Sequence, residues 1–341
     1  MPSPTKAMVH VDPLMTSIAS NWVIGDEVFA AQRIFPVVPV SEISAQIAQY
    51  RRHEMFRYGA VRPRAPATES EGGGYATMQD RYHCLEWAYH KDIGDEEYDY
   101  ATSPYDMNRD ATNFVMNLIK GKRDELFAAA AFNVGIWGVD VTGIAGATNY
   151  NANQVRQWSD WATPSAPHVD IEYYRRWMGL ATGGFLPNVL AITPDVWSAL
   201  RNHPTIIARY VQTSAMPQAT PQQVAQFLEL DRIVICGGVQ NFGPLGGQWD
   251  GRYIFGSGQA LLCHVPASPS LTNPSAGYTF GWTGANHMGT VATIQRTRLA
   301  NDANGDRITG SMHMDVHIQE SILGIFFSNL TVGMGPAQVV I

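Results

Sequence analysis

The chain has 341 residues, of which 45% are hydrophobic, and a formal net charge of −7 at pH 7. A chain of this length and apolar content can bury a substantial core, which excludes an intrinsically disordered protein. No apolar run reaches the roughly eighteen residues that a membrane-spanning helix needs, and the negative charge argues against tight nucleic-acid binding driven by overall charge.

The first third of the chain is predicted to contain an extended segment followed by a long hairpin arm. Residues 1–36 show no strong periodicity. In residues 37–93, a partly alternating stretch leads to a basic segment, the triple glycine 72–74 and a β-like return over 75–90. The basic segment carries the arginines Arg51, Arg52, Arg57, Arg62 and Arg64. Because an isolated hairpin is marginally stable in water, such an arm is predicted to rest on another chain.

The base of the arm is acidic. Its carboxylates are Asp92, Asp95, Glu96, Glu97 and Asp99. A basic arm and an acidic base on one polypeptide suggest pairing between subunits of a homo-oligomer. We therefore predict intersubunit contacts between the five arm arginines and the group Asp95, Glu96 and Glu97. The alternative is that both are solvated surface, because exposed ion pairs are weak.

The longest periodic run, residues 103–133, predicts a helix about 45 Å long. Ser103 is predicted to be the N-cap, with Pro104 at the first helical position and Asp106 three residues after the cap. Apolar residues then recur at steps of three and four, at Met107, Ala111, Phe114, Val115, Leu118, Ile119, Leu126 and Phe127. A one-sided stripe of this length predicts a covering sheet, and Gly121 is a candidate bend.

The second half of the chain is predicted to alternate strands and helices. Thr193 and Thr220, each followed by proline, are predicted helix caps, and His203-Pro204 is a predicted helix stop. The β-branched run 232–236 predicts a strand. In residues 312–318, apolar and polar residues alternate strictly, which predicts a strand buried on one face.

The sequence contains no Walker phosphate loop, no dinucleotide fingerprint and no nucleophile elbow. His313, Asp315 and His317 share one strand face, so a metal-dependent enzyme built on them is an alternative. Residues 302–306 resemble a calcium loop, but the glycine is misplaced and position 313 is not glutamate, so a tight turn is favoured. Aromatic residues interleave the basic arm, which leaves single-stranded nucleic-acid contact as a further alternative.

The three cysteines, Cys84, Cys236 and Cys263, are too scattered for a disulfide framework or a zinc site and favour a reducing compartment. We therefore predict no catalytic residue, no metal and no cofactor. These observations favour a structural role over an enzymatic one.

The order of these elements resembles that of a tailed-bacteriophage major capsid (coat) protein, over nearly the whole chain. The segments that carry the resemblance are FPVVPV (35–40), KDIGDE (91–96), RDE (123–125), LPNVL (186–190), PDVWSALRNHP (194–204), VAQFLELDRIVI (224–235) and PSAGYTFGW (274–282). The resemblance implies an α+β fold of the Hong Kong 97 type. It also implies an N-arm (1–36), an E-loop hairpin (37–93), a peripheral (P) domain with a spine helix and sheet (94–183 and 266–341) and an α/β axial (A) domain (184–265).

The resemblance further implies self-assembly into hexamers and pentamers of an icosahedral shell around double-stranded DNA. The expected partners are other copies of the chain, a portal, a scaffolding or cement protein and the packaged DNA through non-specific contact, with no membrane. The expected location is the virion, after synthesis in the host bacterial cytoplasm. An encapsulin-like compartment is the alternative with the same fold. Some family members crosslink a lysine of the E-loop, but here Lys91, at the base, is the only lysine of 37–93, so no such crosslink is expected. Because the N-arm is short, any scaffolding function is expected to belong to a separate protein.

Overall fold

The computed structural model describes residues 25–50, 56–74, 77–100, 106–161, 165–211, 219–244, 246–268, 273–284, 292–299, 304–333 and 338–340. The α-helices in these ranges are α1 (Ala31–Ile34), α2 (Asp95–Tyr100), α3 (Met107–Ala131), α4 (Pro167–Thr182), α5 (Pro194–Arg201), α6 (Pro204–Val211) and α7 (Pro221–Phe227). The strands are β1 (Val37–Val40), β2 (Ser44–Tyr50), β3 (Thr77–His83), β4 (Leu85–Gly94), β5 (Val139–Ile144), β6 (Gln154–Arg156), β7 (Val189–Ile192), β8 (Arg232–Ile235), β9 (Val239–Asn241), β10 (Asp250–Tyr253), β11 (Ala260–Cys263), β12 (Gly277–Trp282), β13 (Thr293–Arg298), β14 (Gly305–Ile318), β15 (Gly324–Ser328) and β16 (Gln338–Val340).

Helix α3, called the spine helix below, is the long helix that the sequence predicts. It begins at Met107, because Asp106 has extended backbone and its carboxylate accepts hydrogen bonds from the amides of Asn108 and Arg109. The proposed cap Ser103 lies outside the described residues. The helix runs through Gly121 without interruption, and a bend at this position stays a prediction.

A five-stranded sheet covers the spine helix, as predicted. Strand β14 is its centre: it pairs antiparallel with β12, β13 and β4, and β1 extends the sheet by pairing parallel with β12. Val115 and Ile119 of the spine helix pack against Met312 and Met314 of β14. The period-two alternation of β14 directs these methionines to the helix, and their burial fastens the helix to the sheet.

A six-stranded sheet in the order β6-β5-β15-β11-β7-β8 forms the second layer. Strand β7 is buried on both faces: Leu190 and Ile192 contact the cluster that includes α4, α5 and α7, whereas Val189 and Ala191 face the end of the spine helix. Strands β5, β6 and β15 come from segments that the sequence analysis assigned to the P domain, yet they share this sheet with strands of 184–265. The domain boundaries therefore stay a prediction.

The hairpin arm is confirmed for its two pairing strands. β2 and β3 pair antiparallel over seven residue pairs, from Ser44–His83 to Tyr50–Thr77. The return strand was predicted to continue to residue 90, but it ends at His83, and β4 instead pairs with β14 over ten residue pairs. The intervening Cys84 is buried, so the chain passes here from the arm into the body.

The predicted helix stop at His203-Pro204 is confirmed, because α5 ends at Arg201 with Asn202 as its C-cap. A separate helix that was not predicted, α6, begins at Pro204. A small sheet in the order β16-β10-β9 joins the carboxyl-terminal segment to residues 239–253. None of the helices in the described part of the chain is long and apolar enough to cross a membrane.

Candidate assembly surfaces

The tip of the arm is a solvent-exposed segment with few bonds of its own. Every residue from 56 to 74 is exposed. Arg57, Arg62 and Arg64 lie in this tip, and Arg62 approaches Glu71 at 3.4 Å between two largely exposed side chains. Arg51 and Arg52 lie outside the described residues. The tip therefore presents basic side chains to solvent, as a surface that contacts another molecule would.

The base of the arm is fastened to the body. Ile47 and Tyr82 are buried against Tyr278 and Phe280, and the rings of Tyr82 and Phe280 stack with centroids 4.6 Å apart. Phe56, the first residue of the tip, also lies against Gly183 of the body, although its side chain is 40% exposed. The arm is thus anchored at its base and exposed at its tip.

The histidine-rich face of β14 supports this anchor. His317 Nε2 lies 2.9 Å from Asp80 Oδ2, and the backbone amide of His83 donates a hydrogen bond of 3.0 Å to Asp315. His313 lies 3.6 Å from Glu86 and is only 8% exposed. The prediction that the polar face of β14 is exposed is wrong, because the side chains of His313 and His317 are only 8% and 13% exposed and strand β3 of the arm contacts this face. Among the residues that the structure describes, no group of three or more His, Cys, Asp or Glu side chains is arranged to hold a metal ion.

The acidic base is already paired within the chain. Arg307 donates two hydrogen bonds to Asp92, of 2.7 and 2.8 Å, and lowers the pKa of that carboxyl. Arg298 forms a bidentate pair with Asp95. Sequence reasoning missed both partners, because they lie more than 200 residues away along the chain. A contact of Asp95, Glu96 and Glu97 with a neighbouring arm stays a prediction.

An apolar patch lies beside this base, between the spine helix and β4. Tyr89, Phe114 and Leu118 are 49%, 46% and 43% exposed. The rings of Tyr89 and Phe114 meet edge to face at 6.1 Å, and Lys91 Nζ lies 5.8 Å from the centroid of Phe114. Clustered exposed aromatic side chains mark an interaction surface more often than scattered ones do. This aromatic patch is a second candidate assembly surface.

Buried polar groups do not form an accessible catalytic site in the described residues. Ser165 Oγ lies 2.6 Å from His203 Nε2, which resembles a nucleophile and its base, but each residue is only 2% exposed. The other ring nitrogen of His203 faces Thr205 at 2.7 Å, at the start of α6. Burial, followed by the charge of His168, lowers the pKa of His203 to about 4, so the ring is neutral. This pair holds the beginning of a helix.

The buried cysteines are also poor nucleophiles. Burial raises the pKa of Cys84 to about 11 and that of Cys263 to about 12. Burial likewise raises the pKa of Cys236. Because the thiolate is the reactive form, these thiols are inert at neutral pH.

Asp170 predicts a pH dependence of stability. Tyr150 and Trp158 donate hydrogen bonds of 2.8 and 3.1 Å to its carboxylate, yet burial outweighs them and raises its pKa from 3.8 to about 6. Between pH 3.8 and about 6, the folded chain therefore holds a proton on Asp170 that the unfolded chain has lost. This group stabilises the fold at acidic pH, and the stabilisation is lost as pH rises through 6. The lowered pKa of His203 has the opposite effect on the free energy of unfolding: its contribution is present at neutral pH and is lost as pH falls through about 4.

We expect Asp170→Asn to abolish the pH-dependent contribution of this carboxyl group to stability. Asparagine removes the titration, so the free energy of unfolding of the variant, relative to wild type, should be lower at pH 4.5 than at pH 7.5 by about 2 kcal/mol. Urea denaturation of the unassembled chain at both pH values measures it. An equal difference at the two pH values would show that the pKa of Asp170 is not raised.

Comparison with known proteins is informative at the level of structure. No protein-family model and no curated protein sequence matches the chain. A phage-related protein from Bordetella bronchiseptica RB50 is 18% identical, with a TM-score of 0.65 over 95% of this chain and 99% of that one. The capsid protein of cyanophage P-SCSP1u is 14% identical, with a TM-score of 0.53 over 86% and 85%. The SrpI encapsulin of Synechococcus elongatus PCC 7942 is 11% identical, with a TM-score of 0.52 over 94% and 96%.

These likenesses confirm the predicted fold. The chain has the α+β fold of the Hong Kong 97 type, with a projecting hairpin, a spine helix on one sheet and an α/β layer on another. A viral capsid protein and an encapsulin match it about equally well. The fold alone therefore does not distinguish a shell around a genome from a shell around proteins.

Proposed function

We propose that this chain is the major capsid protein of a tailed phage, and that it assembles as hexamers and pentamers into an icosahedral shell around double-stranded DNA. The observation that carries the proposal is the fold, which the chain shares with a phage-related protein over 95% of its length and with a phage capsid protein over 86%. Its role is assembly and no reaction is required of it. Portal, scaffolding and cement proteins are the proposed partners, and the virion is the proposed location.

The exposed arm tip supports assembly over a solitary subunit. A tip in which every residue from 56 to 74 is exposed gains little stability from its own chain. We propose that the tip lies over a neighbouring subunit, where its arginines face acidic side chains such as Glu96, which is exposed. The aromatic patch at Tyr89, Phe114 and Leu118 is the proposed apolar part of the same interface.

Reversing the charge of the arm tests this proposal. We expect the triple change Arg51→Glu, Arg52→Glu and Arg57→Glu to abolish or strongly reduce particle formation, because like charges would then face each other at the interface. The fold should persist, since the described part of this segment is exposed. Light scattering and negative-stain microscopy measure the particles, and thermal melting measures the fold.

Arg176→Glu is a single-charge control, because Arg176 is exposed on α4 and is not one of the arm arginines. This variant should form particles at the wild-type yield. A wild-type particle yield from the triple variant would contradict the proposed arm contact. A wild-type chain that remains a small monomer at every concentration, both alone and with a scaffolding protein supplied, would contradict the capsid proposal itself.

An encapsulin-like compartment is the second candidate, because an encapsulin shares the fold to a similar extent. The two differ in what the particle encloses. Particles isolated with nuclease-protected DNA would support the capsid proposal, whereas particles with a stoichiometric protein cargo would support the compartment.

A further inference from the structure

The first residue of the arm tip returns to the body of the chain. The ring of Phe56 lies directly over Gly183, where a Cβ atom would come within 2.7 Å of both Cε atoms of the ring. The ring of Tyr58 meets that of Phe56 edge to face, with centroids 6.4 Å apart. Phe56 is 40% exposed and Tyr58 is 74% exposed, so of these two rings Phe56 is the one that rests on the body.

Gly183 is a rigid support for this ring. It is the C-cap of α4, and its φ of 84° lies in the left-handed region that favours glycine. The amides of Gly183 and Gly184 both donate hydrogen bonds to the carbonyl of Gly179. The hydroxyl of Thr182 donates one of 2.7 Å to the carbonyl of the buried Met178. Glycine at 183 therefore serves both the backbone turn and the close approach of the ring.

The contact gives the arm a second attachment, on a different layer of the fold. At the base of the arm, Tyr82 stacks on Phe280 in the sheet that covers the spine helix. Helix α4, in contrast, packs through Tyr174 and Met178 into the core of the six-stranded sheet. An arm attached at one point can rotate, whereas attachment to two separate layers fixes its direction.

We propose that the contact between Phe56 and Gly183 orients the arm tip before a neighbouring copy binds. This inference rests on the proposed function, in which the tip lies over the neighbour. A tip that is already oriented loses less conformational entropy on association, so the affinity between copies rises without a further intersubunit contact. Phe56 is thus a positioning residue for assembly, and the tip residues that follow it remain available to the neighbour.

Trypsin digestion of the unassembled full-length chain measures the contact itself. Phe56→Ala should speed cleavage after the adjacent Arg57 about fivefold, because this bond must leave the body to enter the protease. The rate is normalised to that of a peptide of residues 52–62 with the same substitution, which removes the sequence preference of the protease. Cleavage after Arg64, further along the exposed tip, is the internal control and should change by less than about twofold.

Light scattering measures the consequence for assembly. Phe56→Ala should raise the protein concentration at which half of the chains form particles about tenfold, with little change in melting temperature, because the ring is partly exposed. Phe56→Met keeps an apolar side chain of similar reach and should restore both wild-type values. Ile207→Ala is the matched control and should behave as wild type, because Ile207, on α6, is an apolar residue with nearly the same exposure, 39%.

A double change tests whether the two residues act through one contact. Gly183→Ala should also speed cleavage after Arg57, since its Cβ would displace the ring of Phe56. In the Phe56→Ala background the same change should add nothing to the cleavage rate, because the contact is already lost. Additive effects of the two substitutions would contradict a shared contact.

The two readouts separate this inference from the proposed function. Cleavage of Phe56→Ala at the wild-type rate would overturn the contact. Faster cleavage with a wild-type or higher particle yield would overturn its orienting role in assembly. If wild type forms no particles under any condition, the capsid proposal fails, and faster cleavage of Phe56→Ala after Arg57 would still support an oriented tip.

Discussion

Replacing Asp124 with alanine is expected to lower the free energy of unfolding by about 4 kcal/mol. Asp124 is fully buried on the spine helix and accepts hydrogen bonds from the amides of Ala30 and Ala31 at the start of α1. Alanine would leave both amides without their acceptor, and each unsatisfied buried donor costs about 1–3 kcal/mol. The amino-terminal segment would then lose its attachment to the spine, which urea denaturation and limited proteolysis near residue 30 would detect.

Two further variants identify the cause. Glu125→Ala changes the next residue, whose half-exposed carboxylate pairs with Lys122 at 2.8 Å, and should cost less than about 1 kcal/mol. Asp124→Asn should cost less than Asp124→Ala, because the asparagine oxygen can still accept one of the two hydrogen bonds from the amides of Ala30 and Ala31. Equal stability of the alanine variant and wild type would show that the Asp124 contacts do not hold α1.

The second large effect is expected at Gly143 in β5. A Cβ atom at this position would lie 2.1 Å from the backbone oxygen of Asn329, closer than atoms can approach. The backbone cannot move away easily, because the side-chain amide of Asn329 donates a hydrogen bond of 2.8 Å to the carbonyl of Gly143. We expect Gly143→Ala to lower the free energy of unfolding by about 3 kcal/mol, as overpacking of a core does.

Gly121→Ala is the matched control and should have the opposite sign. No atom lies within 4 Å of a Cβ at Gly121, and its backbone is helical. Alanine should therefore raise the free energy of unfolding by about 0.5–1 kcal/mol. Thermal melting of both variants measures the difference, and similar effects of the two substitutions would contradict the close contact at Gly143.

Local patterns were sufficient to predict several elements. The three-to-four spacing of apolar residues predicts the spine helix, and the structure places Val115, Ile119 and Phe127 in buried positions. Thr220 forms the expected cap, because its hydroxyl and the Gln223 side chain satisfy each other's backbone amides. Hydrogen bonds of this kind join residues within one helical turn, so residues close together in the sequence are enough to predict them.

Local patterns failed where two chemically valid choices were close together. Ser103 and Asp106 are both good helix caps, and the structure selects Asp106. The strand after the triple glycine reads as one continuous run, yet its halves join different sheets on either side of Cys84. In the case of the strand, only the position of each partner strand shows where one sheet ends and the other begins.

Patterns in the amino-acid sequence are enough to predict the spine helix, the presence of an arm and the order of elements that resembles a capsid protein. The tertiary structure alone decided which charges are already paired, because Asp92 and Arg307 are separated by 215 positions along the chain and yet hydrogen-bond at 2.7 Å. It also decided that the histidine face of β14 is largely buried. These features depend on distances between remote segments, and periodicity within a short window contains no information about such distances.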